Sequence, residues 1–197
     1  MTFEEHLARW QDLHGGTDPR GTPMVVGWLR LVHVLGSRLP VPPDLLTVLA
    51  VVAAAWALVV PAWVAALLVL ASALLDGLDG SVAVLRDRVT RHGAVLDAVG
   101  DRVCDLLFVL ALALAGAPWE LAIACGAGIL LLEGVRLVAR RPIVLTVAER
   151  PTRVLATAVG LVSVPTVGLA LLATATAVGL LQLSLAVRAG GRTPSTG

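Results

Sequence analysis

Four aspartates stand inside two long apolar runs of this chain, and few folds can accommodate them. Asp76 and Asp79 fall in the run Ala62–Leu85, Asp97 and Asp101 in the run Ala94–Ala115, and a short polar stretch, Arg86–His92, joins the two. If both runs are helices, residues three and four apart share one face, so each helix carries a carboxylate stripe. The polar stretch then reads as the turn of an antiparallel pair. Asp79 and Asp97 average to about position 88 and Asp76 and Asp101 to about 88.5, so at ~1.5 Å rise per residue the partners fall at matching heights. The expectation is that four carboxylates converge.

The surroundings make that convergence costly. The chain is 57% hydrophobic and 15% charged, with a mean hydropathy of +0.88, which is too apolar for an ordinary soluble domain and points to an integral membrane protein. An ionised Asp within a bilayer costs on the order of 3 kcal/mol on insertion scales, so four cost roughly 10 kcal/mol, before their mutual repulsion. Divalent cations would offset this. All-oxygen ligands suit Mg2+ or Mn2+, and carboxylate-held Mg2+ normally also takes substrate phosphates. A phosphate-containing substrate is therefore expected.

The pattern resembles the signature of the CDP-alcohol phosphatidyltransferases, D-x-x-D-G-x-x-A-R, about eight residues, then G-x-x-x-D-x-x-x-D. Asp76, Asp79, Gly80, Ala83, Gly93, Asp97 and Asp101 all fall in register with it. Val84 stands where the family usually has Arg; Arg86 or Arg88 could substitute only through local unwinding, because Arg86 is rotated by about 200° from position 84. The opening of the first apolar run, Pro43-Asp44-Leu45-Leu46-Thr47, is similar to the P-[N/D]-x-x-T entry of the same family, whose residues lie beside the nucleotide. The resemblance implies two metal ions, Mg2+ or Mn2+, on Asp76, Asp79, Asp97 and Asp101, with Asp101 as general base. It also implies contacts to CDP-diacylglycerol from Asp44, Thr47, Gly80, Ala83, Thr90 and Gly93.

The rest of the chain has the shape such a protein needs. Residues 1–40 are mixed in character: Phe3, Leu7, Trp10 and Leu13 lie on one face of an amphipathic helix too polar to span. Thr2 and Glu5 form a capping box before it, and Gly15-Gly16 ends it. This start lacks the features of a signal peptide. Val25–Leu39 is a second amphipathic segment, expected at the headgroup level with Trp28, Arg30 and Arg38. His6, His14 and His33 have no mutual metal-ligand spacing and read as interfacial. Pro40, Pro42 and Pro43 then break the chain.

Residues 41–189 form the expected transmembrane domain of an all-α protein, with six spans: Asp44–Val60 (capped by Asp44), Ala62–Leu85, Ala94–Ala115, Trp119–Val138, Val154 to about Ala170, and about Leu171 to Val187. The last two share a stretch with only Pro165 and Gly168 as punctuation. Residues 190–197 are polar and small, and a disordered tail is expected. Cys104 and Cys125 lie in apolar runs without metal or redox spacing and read as small buried hydrophobes.

Charge placement sets the parity of the spans. All fifteen basic residues are Arg, and none falls between spans one and two, three and four, or five and six. The positive-inside rule then puts both termini and the acids on the cytoplasmic side of the cell membrane. Arg136, Arg140, Arg141, Arg150 and Arg153 crowd the link after span four, and Glu133 is placed to pair with Arg136 on the next turn. Glu149-Arg150-Pro151-Thr152-Arg153 is similar to the E-R-P-x-R segment of family members that accept polyol phosphates. Guanidinium forks suit a phosphate dianion, so Arg136, Arg150 and Arg153 are the expected acceptor-binding residues.

These readings lead to an enzyme that moves the phosphatidyl group of CDP-diacylglycerol to an alcohol and releases CMP. The cation cluster favours a phosphorylated polyol acceptor, with glycerol 3-phosphate the simpler choice over inositol phosphate. Transfer to phosphatidylglycerol, giving cardiolipin, also presents a phosphate. A divalent-cation carrier is the alternative of a different class, since intramembrane acids also mark ion pathways; the crowding of the acids into one hairpin and the lack of an inverted repeat count against it. A net charge of +1 offers nucleic acid no basic face, the partners are substrates and bilayer, and a homodimer stays open.

Overall fold

The computed structural model describes residues 1–13, 18–21, 23–139 and 149–190, and among them every regular element is helical. The helices are α1 (Phe3–Leu13), α2 (Pro23–Arg38), α3 (Pro43–Trp56), α4 (Ala62–Leu85), α5 (Arg91–Leu114), α6 (Trp119–Ala139), α7 (Arg150–Val162) and α8 (Pro165–Gly190), with a 3-10 turn at Pro19–Gly21. They divide into two compact units, Met1–Leu107 and Phe108–Gly197. His14, Gly15-Gly16, Arg140, Arg141, Ala148 and positions 191–197 of the expected tail lie outside the described residues.

In the first unit α2 and α3 both pack along α4, and α1 closes the end of that group. The capping box forms as expected: the Thr2 N–H donates to Glu5 Oε2 at 2.8 Å and the Glu5 N–H to Thr2 Oγ1 at 3.3 Å. The apolar face of α1 is used for docking, with Leu7 buried among Leu29, Val32, Leu46, Leu78 and Val82, and Phe3 and Trp10 packed against them. Arg9 forms an ion pair with Asp87 just beyond α4. His6 corrects the interfacial reading. It is 1% exposed, its Nδ1 lies 3.1 Å from Nδ1 of His33 and its Nε2 lies 3.3 Å from Ser81 Oγ. A face that looks amphipathic in sequence serves equally to pack on protein, and the ring's two nitrogens find partners there.

The proline-rich break turns the chain by 116° between Val25–Arg38 and Pro43–Trp56. Asp44 does not cap α3: Pro42 holds the N-cap position with no side-chain cap hydrogen bond, Pro43 follows at the first helical position, and Asp44 lies in the first turn. There its charge still complements the helix dipole, while Pro43 removes one N–H that a cap would otherwise have to satisfy.

The second unit contains α6, α7 and α8, with Leu132 and Leu183 buried together and Val135 and Leu180 packed on them. The break between the last two helices lies at Ser163-Val164, not near Ala170. Pro165 is the reason: it lacks an N–H and disfavours helical geometry at the residue before it, yet it suits the first position of the next helix. α7 is thus 13 residues long and α8 26. At the crossing of these helices a Cβ on Gly160 would come within 2.7 Å of the Gly168 Cα, so glycine is required for the approach.

Ala62–Leu85 and Pro165–Ala186 are each long and apolar enough to cross a membrane by length and composition. α5 has 24 residues but carries Asp97, Asp101, Arg102 and Asp105 through its middle. α3, at 14 residues, continues as a turn, with the Leu58 and Val59 N–H groups donating to the Ala55 and Trp56 carbonyls.

Candidate metal centre

The link between the two acid-bearing helices is built by local chemistry. α4 ends in paired hydrogen bonds, Arg88 N–H to the Ala83 carbonyl at 2.8 Å and Asp87 N–H to the Val84 carbonyl at 3.2 Å. Asp87 sits in the left-handed region at φ 52°, a conformation Asp tolerates better than most residues. Thr90 then starts α5: its Oγ1 accepts the Gly93 N–H at 3.0 Å and its carbonyl accepts the Ala94 N–H. Thr90, expected beside the nucleotide, is therefore also the N-cap that sets the register of Asp97 and Asp101.

Asp76, Asp97 and Asp101 each present a carboxylate oxygen within 4.8 Å of the others, and all three side chains are half-buried. Oxygens this close to one another are within reach of one hard divalent ion, which Asp76, Asp97 and Asp101 would hold. The donor set, carboxylate only, fits Mg2+ or Mn2+.

The fourth acid, Asp79, is not among the three carboxylates within 4.8 Å of one another. Asp79 is 3% exposed; its Oδ2 accepts the hydroxyl of Thr47 from α3, and its Oδ1 accepts the Gly80 N–H at 2.5 Å. Asp105, one further turn along the stripe of Asp97 and Asp101, is also buried at 4% exposed. Sequence reasoning passed over it, although its four-residue spacing from Asp101 within an apolar run was the available signal.

The other residues expected at the nucleotide cluster around α5. A Cβ on Gly93 would lie 3.1 Å from Thr90 Oγ1 and 3.4 Å from Asp44 Oδ1, and one on Gly100 would lie 2.9 Å from Thr47 Cγ2. Asp44, Thr47 and Thr90 are thus brought against Gly93 and Gly100 of α5, the helix that carries Asp97 and Asp101. Gly80 is exposed, with open space where a Cβ would be, and Ala83 is half-buried one turn beyond Asp79. Val84 is buried, and the Arg86 guanidinium donates to the Leu39 carbonyl, so Arg86 is engaged away from position 84.

Within the second unit, Arg136 of α6 and Arg153 of α7 are embedded in a network with Glu133 and Glu149. Glu133 Oε1 accepts from Arg136 Nη1 at 3.1 Å and from Arg153 Nη2 at 2.7 Å, while Arg136 Nη2 donates to Glu149 Oε1 at 2.6 Å. The pairing of Glu133 with Arg136 forms as expected, and Arg153 joins it from α7 almost fully buried. Arg150 opens α7.

Residues 41–187 match the family model described as CDP-alcohol phosphatidyltransferase, and the chain belongs to that family. An archaetidylinositol phosphate synthase of Aeropyrum pernix is 41% identical over 106 residues, which are 51% of this chain and 54% of the relative. The chain thus spans about half the length of that curated relative. Two crystal structures of the Mycobacterium tuberculosis phosphatidylinositol phosphate synthase share the fold. The one with CDP-DAG bound has a TM-score of 0.66 at 21% identity, covering 84% of this chain and 96% of that one. The one in complex with manganese and citrate has a TM-score of 0.63 at 25% identity, covering 89% and 93%.

Proposed function

We propose that this protein transfers the phosphatidyl group of CDP-diacylglycerol to the hydroxyl of a polyol phosphate, releasing CMP. The observation that carries this reading is the gathering of Asp76, Asp97 and Asp101 on the signature positions of a chain that belongs to the CDP-alcohol phosphatidyltransferase family. The manganese in the mycobacterial structure supports a divalent ion at these acids, with two ions the expectation. A divalent ion bound there would polarise the pyrophosphate and stabilise the charge on departing CMP.

The chain's own residues divide the remaining work. Asp44, Thr47, Thr90 and Gly93 receive the CDP end of the donor, and the bare faces of Gly80 and Ala83 let the pyrophosphate approach the acids. Thr47 also holds Asp79 in position through its hydroxyl. Asp101 accepts the proton of the attacking hydroxyl as the new ester bond forms and the bond to CMP breaks. Arg136, Arg150 and Arg153 take the phosphate of the acceptor by charge-assisted bonds, each worth roughly 1.5–3 kcal/mol. Both relatives are named for inositol phosphate lipids, which favours an inositol phosphate over glycerol 3-phosphate.

In this reading α3 to α8 are six spans of the cell membrane, α2 lies at the headgroup level beyond the 116° bend, and the acids face the cytoplasm. Incubation with labelled CDP-diacylglycerol and a panel of acceptors, followed by the mass of the lipid product, tests the assignment. The expected product is a phosphatidylinositol phosphate. A phosphatidylglycerophosphate product would keep the chemistry and change the polyol, whereas cardiolipin from phosphatidylglycerol, or serine as the best acceptor, would overturn the acceptor class.

A further inference from the structure

The two acids of the arginine network stand in different circumstances. Glu133 is 13% exposed, and one of its oxygens takes donors from both Arg136 and Arg153, tying α6 to α7. Glu149 is 33% exposed. It precedes α7 in extended geometry (φ −68°, ψ 158°) and makes no side-chain cap hydrogen bond although it holds the N-cap position. Its carboxylate instead receives Arg136 Nη2 at 2.6 Å. Carboxylate and phosphate oxygens compete for the same guanidinium fork, and of Glu133 and Glu149 the more exposed is the one an arriving anion displaces from Arg136 at lower cost.

We propose that Glu149 is a built-in competitor for the acceptor's phosphate, occupying Arg136 until a phosphate dianion replaces it, while Glu133 is the fixed counter-charge that positions Arg136 and Arg153. This rests on the reading of the arginines as the acceptor's phosphate site and adds a specificity device to it. An uncharged alcohol offers Arg136 no anion in exchange for Glu149, so it gains nothing from opening the pair, and a monoanionic carboxylate gains less than a phosphate dianion. A phosphate dianion compensates and binds. Because only the opened fraction of molecules accepts phosphate, apparent affinity is lowered by that fraction.

The test uses the full chain in detergent with inorganic phosphate as the probe, reading the rise of the unfolding temperature against phosphate concentration. Acceptor KM is measured in parallel. A partly exposed pair of this kind predicts that Glu149→Gln tightens phosphate binding and lowers acceptor KM by about two- to fivefold, with CDP-diacylglycerol KM unchanged. Glu149→Asp is expected to stay near the wild type, and Glu133→Gln to weaken phosphate binding. Unchanged or weaker phosphate binding in Glu149→Gln, with Arg136→Ala still impairing it, overturns the competitor role and leaves the arginine site standing. Phosphate binding that is indifferent to Arg136→Ala overturns the underlying site assignment instead. Because Glu149 lies at the more exposed edge of the network, its variant keeps the test independent of whether Glu133→Gln folds.

Discussion

Thr47 holds Asp79 from a helix 32 positions away in the chain, and that contact separates what spacing reveals from what it hides. The stripes of Asp76 with Asp79 and of Asp97 with Asp101 follow from helical periodicity alone. The hydroxyl that α3 presents to Asp79 is a tertiary contact, and no local pattern encodes that. The same limit applies to the glycines: Gly80 was legible as a signature position without its reason, and Gly100 was not singled out at all. Gly100 faces Thr47 Cγ2 at 2.9 Å from its would-be Cβ, whereas Gly80 faces open space. Gly100→Ala must therefore push on a buried side chain already bound to Asp79, and overpacking of this kind costs about 1–3 kcal/mol. The expected outcome is a lower unfolding temperature together with a raised KM for CDP-diacylglycerol. Gly80→Ala should raise that KM with no loss of thermal stability, since helical Ala is favoured over Gly by up to about 1 kcal/mol. Equal unfolding temperatures for the two variants would contradict the packing described for Gly100.

At the scale of elements, caps and breaks were partly readable. The Thr2–Glu5 box is a four-residue pattern and was found; Thr90 as N-cap of α5 was hidden behind its resemblance to a substrate contact. The end of α7 was misplaced because apolar composition continues through Pro165, whose missing N–H matters more than the hydropathy around it. α1 carries a prediction of its own. Burial, with the neighbouring His33 as the lesser cause, lowers the His6 pKa from 6.5 to about 4. Since the folded value lies below the unfolded one, the unfolded chain binds more protons between them. Stability from this group is thus fully present above about pH 6.5 and is lost as pH falls toward 4. The groups facing His6 are His33 from α2 and Ser81 from α4. Unfolding temperature should fall across that window in the wild type and fall less steeply in His6→Gln. Parallel profiles would remove His6 as the source.

For the whole molecule, the distribution of arginines along the chain, rather than any one helix, supports even parity. That distribution can be read from the sequence because the positive-inside rule counts charge per loop and needs no tertiary contact. Helix lengths were less legible: α3 and α7, at 14 and 13 residues, are shorter than the ~20 a span usually takes, because prolines bound both. If six spans hold, a cysteine probe at Thr90 is shielded from reagents outside intact cells and one at Ala117 is labelled; the reverse pattern inverts the topology. The claim on which the account depends is that the Asp76, Asp97 and Asp101 group holds the ion that makes transfer possible. The most direct measurement is CMP release from CDP-diacylglycerol as Mn2+ is titrated into metal-stripped protein, with bound Mn2+ followed by paramagnetic resonance in the same samples. The account predicts no release without the ion, release rising with bound Mn2+ in the wild type, and loss of both signals in Asp97→Asn. Undiminished CMP release in the presence of a chelator, or full Mn2+ binding in Asp97→Asn, would contradict it.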